Sequence, residues 1–247
     1  PVHGLRPARD TCEKCHRPEL FHGDKLNVVN RFEEDETNTL VHDVMLMKIG
    51  SAGDSAKKSH GIHWHVASEN KIDYVASDHS RMVIPEIRLT RQDGREVVFR
   101  SEDADELLKA GTAETREMDC IDCHNRPSHV FIPADKAIDQ KMLEGKIPIK
   151  LPYIKRQALE VVTADYASLD EARQAIDSKL TRWYRENYPE IQPELVAKAI
   201  SGTQLAYREN VFPLMEVGWD TYVNHVGHGE DFDIGCFRCH DDMHEDE

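Results

Sequence analysis

All the cysteines of this 247-residue chain fall into three copies of one spacing, C-x-x-C, and a histidine directly follows each copy. The three motifs are Cys12-Glu-Lys-Cys15-His16, Cys120-Ile-Asp-Cys123-His124 and Cys236-Phe-Arg-Cys239-His240. In a C-x-x-C-H motif the two thiols form thioethers to the vinyl groups of a haem, and the histidine binds the iron as proximal ligand. The sequence therefore predicts three covalently bound haem c groups, with His16, His124 and His240 on the irons.

Two other uses of paired cysteines fit the pattern less well. A zinc site would need the pairs to combine into fours, so three pairs would leave one site incomplete, and zinc gives no reason for a histidine after every pair. A disulfide across two intervening residues would be a redox-type bridge rather than a structural one. Haem attachment explains all three copies with no cysteine left over.

The histidines outnumber the proximal positions, since eleven of the fourteen remain after the motifs are counted. This surplus predicts a second histidine on each iron, a ligation that favours electron transfer over substrate binding. The remaining histidines are His3, His22, His42, His60, His63, His65, His79, His129, His225, His228 and His244. Roughly half of them are expected to be ordinary surface or core residues.

Geometry ranks these candidates, because a distal ligand approaches from the porphyrin face opposite its proximal histidine. His129 and His244 follow their motif histidines by only five and four residues, so either would have to serve a different haem. His63 and His65 lie in Ile62–Val66, whose alternation predicts a strand with both histidines on one face. The ranking is His65 or His63, His129 and His228, and then His3 and His244, with His228 favoured because glycines flank it.

The composition excludes several classes of function. Hydrophobic residues make up 39% of the chain, the mean hydropathy is −0.62 and the formal net charge is −15. A charge of that sign repels phosphate backbones, which argues against nucleic-acid binding. No stretch approaches the roughly 18–20 apolar residues that a membrane span needs. Haems also explain the low apolar content, since side chains that pack on a macrocycle replace packing against one another.

The pattern of residues predicts an α+β fold with much irregular structure, wrapped around the three haems. Residues 1–111 are expected to form a small β-rich part with the first haem, and residues 112–247 a helical part with the other two. All of it could be one continuous domain organised by haem. Strands are predicted at 26–32, 39–49, 62–66, 71–76, 82–90 and 95–100, and helices at 103–110, 133–145, 153–165, 168–187 and 193–210.

The start of the chain, Pro-Val-His-Gly, has neither the basic nor the apolar region of a signal peptide. Because haem c is attached outside the bacterial cytoplasmic membrane, we expect a mature product or an excised part of a longer chain. The expected location is the periplasm or the cell exterior.

Several blocks resemble the periplasmic region of multihaem NapC/NirT-like cytochromes. The similar blocks are residues 1–16, 21–26, 61–65, 118–129, 210–213 and 235–240. In this resemblance His228 matches a Gly-His pair, whereas His225, His42 and His60 are less typical and rank lower as ligands. Relatives carry an upstream membrane anchor with further haem motifs and tend to continue past the third motif, so their quinol oxidation is not assigned to this chain.

These observations together predict a low-potential, mostly bis-His electron carrier with three haems in an extracytoplasmic respiratory chain. Its expected partners are redox proteins, either other cytochromes or a quinol-oxidising membrane cytochrome. Two alternatives remain open at this stage. One is a subunit of an extracellular haem filament in which histidines ligate iron between copies, and the other is a multihaem reductase with one open haem.

Overall fold

The computed structural model describes residues 8–16, 23–50, 59–109, 113–125, 130–227 and 234–246. Its contacts divide the chain into two units. The motif unit comprises the described residues of Pro1–Leu26, Leu46–Arg126 and Asn224–Glu247, and the helical unit comprises those of Asn27–Met45 and Pro127–Val223. All three C-x-x-C-H motifs lie in the motif unit. The division expected at residue 111 stays a prediction, and the contacts group the chain in a different way.

The motif unit is built on a five-stranded sheet in the order β6-β3-β4-β5-β7. The strands are β3 (Asn70–Ala76), β4 (Glu86–Arg91), β5 (Glu96–Arg100), β6 (Glu114–Glu117) and β7 (Glu245–Asp246). Every pair in it is antiparallel. A turn at Gln92–Gly94 joins β4 to β5, and Gly94 adopts the positive φ that such a turn requires.

Three short helices complete the motif unit: α1 (Ala8–Cys12), α2 (Ala104–Lys109) and α3 (Cys120–Cys123). The alternating run Ile62–Val66, predicted as a strand, is instead a 3-10 helix. It follows Gly61, whose φ is +69° and where an added Cβ would lie 2.5 Å from the Lys48 carbonyl oxygen. The tight turn at this glycine starts a helical turn, and a run of only five residues cannot show its period reliably.

The helical unit contains α4 (Ala134–Leu143), α5 (Ile154–Val162), α6 (Leu169–Asn187) and α7 (Pro193–Asn210), all at predicted positions. Helix α6 begins where the sequence predicts, because the Ser168 side chain accepts a hydrogen bond from the Glu171 amide at 3.1 Å. Its apolar stripe joins those of the other helices in a continuous core of 21 buried residues. This packing supplies the stability that isolated helices of such length lack.

Strands β1 (Lys25–Phe32) and β2 (Leu40–Met47) form a separate two-stranded sheet. Residues 27–32 and 40–45 of this sheet belong to the helical unit. Within that unit Asn38 is buried and donates to the carbonyl oxygens of Ile149 and Leu151 at 3.1 and 2.8 Å. The chain therefore combines helices with antiparallel sheets, and the predicted α+β class is confirmed.

Candidate haem sites

The three motifs adopt the same local turn. In each of them the histidine amide donates to the carbonyl oxygen of the first cysteine, at 2.8 Å for His16, 2.8 Å for His124 and 3.0 Å for His240. Residues three and four positions apart on a helical turn lie on one face. The turn therefore presents both thiols and the imidazole together, and each of the six cysteines has a free thiol.

Hydrogen bonds fix the second motif against the first. Asp119 caps α3, because its carboxylate accepts from the Cys120 amide at 2.6 Å, and Asp122 accepts from the Asp119 amide at 2.6 Å. Asp119 also accepts from the Arg9 amide in α1 at 3.2 Å. Burial opposes ionisation of Asp119, but the bonds from Cys120 and Arg9 outweigh it and lower its pKa. The turns of the first and second motifs are thus neighbours.

A buried arginine ties the third motif to the second. The Arg238 guanidinium donates to three carbonyl oxygens, those of Gly235 at 3.1 Å, Arg81 at 2.7 Å and Asp122 at 2.9 Å. The buried Asp122 carboxylate in turn accepts from the Tyr74 hydroxyl at 2.6 Å and lies 3.4 Å from the Arg81 guanidinium. Burial and this carboxylate raise the pKa of Tyr74 to about 12, so the hydroxyl keeps its proton. The network makes all three motifs one cluster.

One predicted distal histidine faces a motif histidine. The Nε2 atoms of His65 and His240 are 3.4 Å apart, and their rings are nearly perpendicular. His65 Nδ1 lies 2.8 Å from the Ile62 carbonyl oxygen, which can only accept, so Nδ1 carries the proton. With Nδ1 held by this carbonyl oxygen, the His65 ring directs Nε2 towards His240, which is the orientation of a metal-binding imidazole.

A second pair of histidines borders a cavity of about 350 Å³ in the motif unit. His124 of the second motif lines it, and so does His225, which is only 7% exposed. Among the described residues, His225 Nδ1 has no hydrogen-bond partner. Burial, together with the charges of Arg238 and Arg81, lowers the pKa of His225 to about 4. Its ring is therefore neutral at physiological pH.

Comparison with known proteins indicates which cofactor the C-x-x-C-H turns bind. The chain is 39% identical over 251 residues to the cytochrome c-type protein ImcH of Geobacter sulfurreducens, a match that covers 99% of this chain and 48% of that protein. The chain thus spans about half the length of the curated relative it matches. No family model matches the chain, and no solved structure matches it. The similarity supports a c-type cytochrome.

Haem c, bound covalently, and a general role in electron transfer come with that class, whose members are usually extracytoplasmic. The residues present fit this cofactor, because each C-x-x-C-H turn presents two thiols and one imidazole on one face. His65 and His240, whose Nε2 atoms face each other at 3.4 Å, are the residues that would hold one of the irons. Bound there, the iron would supply a one-electron couple. In the described part of the chain no helix has the length and apolar character to cross a membrane.

The other predicted ligands fall into two groups. His244 is held by oxygens on both sides, with Nδ1 2.8 Å from Asp241 and Nε2 2.8 Å from the Ile84 carbonyl oxygen. Both oxygens accept from the ring, so the contacts tie β7 to the rest of the unit and offer no lone pair to an iron. His63 lies in the same 3-10 helix as His65. The candidates that lie outside the described residues are His3, His129 and His228.

Sequence reasoning missed two features of the site. It ranked His225 low, and it gave no role to Arg238, Asp122 or Tyr74. The surplus of histidines is the signal that pointed towards His225, but only the fold brings it to the cavity beside His124. Arg238 and Asp122 occupy variable positions of their motifs, and nothing in that spacing predicts that they bond one another across more than a hundred residues.

Proposed function

We propose that this chain is a three-haem, low-potential electron carrier whose irons have two histidine ligands and which serves an extracytoplasmic respiratory chain. The observation that carries the proposal is the His65–His240 pair, in which two imidazoles face each other through Nε2. An iron with both axial positions filled exchanges electrons without binding a substrate. The repeated turn of the three motifs supports one haem at each.

The clustering of the motifs supports a chain of electron transfer steps. Arg9 joins the first motif to the second through Asp119, and Arg238 joins the second to the third through Asp122. Haems attached at neighbouring turns lie near one another, and electron transfer between them needs proximity above all. The resemblance to NapC/NirT-like cytochromes supports the same role, with redox proteins of the cell envelope as partners.

The net charge of −15 supports partners that present positive surfaces. Electrostatic steering raises association rates with such partners and weakens as salt screens it. Negative charge near a haem also stabilises the oxidised, more positive iron, which favours a low potential.

The test uses the matured full chain, its haem content and its spin state. Wild-type protein is expected to carry three haems, all low-spin. In His65→Ala about one haem in three becomes high-spin, whereas His63→Ala, in the same 3-10 helix, keeps all three low-spin. The Cys236→Ala/Cys239→Ala variant is expected to hold two haems. Adding His65→Ala to this variant should leave the spin state of both haems unchanged.

Other results would contradict the proposal in distinct ways. Fewer than three haems would remove its basis. A wild-type high-spin fraction that shifts with nitrite, sulfite or cyanide would indicate a reductase. Six-coordination that is lost on dilution would indicate ligation between copies, as in a haem filament.

A further inference from the structure

His124, the histidine of the second motif, borders a cavity and has not yet been given a partner as iron ligand. His124 and Ile121 of that motif line the cavity, together with Asn125 and, from distant parts of the chain, His79 and His225. His124 itself is exposed in the structure. If an iron is bound at His124, as the proposed function requires, the side chains that share this cavity with His124 are the first candidates for its second ligand.

His225 is the buried imidazole at this position. It is 7% exposed, and within the described residues its Nδ1 is a buried nitrogen with no hydrogen-bond partner. Leaving such a group unsatisfied destabilises the fold, and an unpaired buried polar atom in a native fold therefore calls for an explanation. A bound metal is one of the few partners that an imidazole accepts in place of a hydrogen bond.

The backbone holds His225 in place beside the motif. The His225 amide donates to the Asn125 side-chain oxygen at 3.2 Å, and Asn125 directly follows His124. The next segment is fixed as well, because the Cys236 amide donates to the Gly227 carbonyl oxygen at 3.0 Å. His225 therefore belongs to a segment that two motifs anchor beside His124.

The other histidine of the cavity is less suited to the role. The His79 side chain is 94% exposed, and its Nδ1 lies 3.3 Å from a Glu114 carboxylate oxygen. An exposed side chain loses more conformational freedom on binding than a buried one.

We propose that His225 is the second axial ligand of the haem iron attached at Cys120 and Cys123, opposite His124. This assignment rests on the proposed function, and it makes the second haem bis-His through a residue that the sequence ranking placed low. The cofactor class is a c-type haem, and the ligand atom is an imidazole nitrogen of His225.

The test compares His225→Ala with His79→Ala, a matched variant in the same cavity, using the full chain matured with haem. His225→Ala is expected to keep three haems and to convert about one in three to the high-spin form, and added imidazole restores the low-spin spectrum. His79→Ala stays fully low-spin. Unchanged low-spin haem in His225→Ala, or a high-spin haem in His79→Ala, would overturn the assignment.

His225→Met keeps the test decisive if the alanine variant does not fold. Methionine can bind the iron and raises the potential of a haem relative to histidine. One of the three potentials is therefore expected to rise, with a sulfur-to-iron charge-transfer band, while the other two stay. Three unchanged potentials would show that His225 is not a ligand. A wild-type protein with fewer than three haems would overturn the proposed function as well, so the two failures are distinguishable.

Discussion

The two units of this chain are stabilised in different ways. The helical unit has an apolar core of 21 buried residues and holds no cysteine of the haem motifs. Among the described residues of the motif unit, the corresponding apolar cluster contains three, Tyr74, Ala76 and Ile84. The motif unit relies instead on polar ties such as Arg238 to Asp122. A unit with so little apolar core is expected to complete its core with the macrocycles that it binds.

The largest expected effect follows from withholding haem. When the chain is made without haem attachment, we expect β3 to lose its protection from amide hydrogen exchange, because its small apolar cluster cannot offset the entropy of ordering. The amides of Ile176 and Leu180 in α6 should keep theirs. Exchange followed by NMR or mass spectrometry checks both units in one experiment. Protected amides in β3 of the haem-free chain would contradict the comparison.

A substitution that creates a cavity in the apolar core tests whether that core determines the stability of the helical unit. Leu180 is fully buried, and Leu180→Ala should lower the free energy of unfolding of that unit by about 3–5 kcal/mol. The visible haem spectrum should not change. Leu143→Ala is the control, since Leu143 is 49% exposed and its loss should cost less than about 0.5 kcal/mol. Urea unfolding followed by circular dichroism measures the free energy of unfolding of both variants. Similar decreases in the two variants would mean that the apolar core does not determine the stability of the unit.

Two glycines with a similar positive φ sharpen the contrast. Gly235 precedes the third motif with a φ of +63°, and an added Cβ would lie 2.0 Å from the Gly227 carbonyl oxygen. Gly145 ends α4 with a φ of +66° and has open space around it. Gly145→Ala should cost about 1–2 kcal/mol from left-handed strain alone. Gly235→Ala should cost about 3 kcal/mol, because the backbone must also move.

Unfolding followed at the haem band and by circular dichroism distinguishes these two variants. The Gly235→Ala loss should show in the haem band and the Gly145→Ala loss in the helical signal. Equal costs would show that the close approach at Gly235 can relax without energy loss.

The smallest expected effect is a pH dependence that the two units share. Hydrogen bonds from Thr39 lower the pKa of Asp35 in the helical unit, and bonds from Ser80 lower that of Asp78 in the motif unit. Because the folded state favours the carboxylate, this contribution is complete above the ordinary pKa of about 4 and is lost as pH falls through the lowered value. Amide shifts of Thr39 and Ser80 followed by NMR should titrate below that pH.

Asp35→Asn should remove the Thr39 titration and leave that of Ser80 unchanged. A Thr39 shift that still titrates in this variant would mean that another group causes it. Both carboxylates lie in exposed turns, so the difference between the units is expected to concern their interiors and not their surfaces.

The sequence by itself determined what depends on neighbours along the chain. The C-x-x-C-H turns, the capped helix α6 and the hairpin between β4 and β5 each rest on residues within a few positions of one another, and spacing reports such contacts directly. The run Ile62–Val66 was predicted wrongly as a strand, because five residues cannot separate two periods when a glycine turn precedes them.

Only the tertiary structure decided which groups meet across the chain. His65 faces His240, His225 shares a cavity with His124, and Arg238 bonds Asp122, each over a hundred residues or more. Nothing local distinguishes one histidine of a surplus from another. The choice depends on burial and direction in space, which are set by the packing of the whole motif unit and not by the residues beside each histidine.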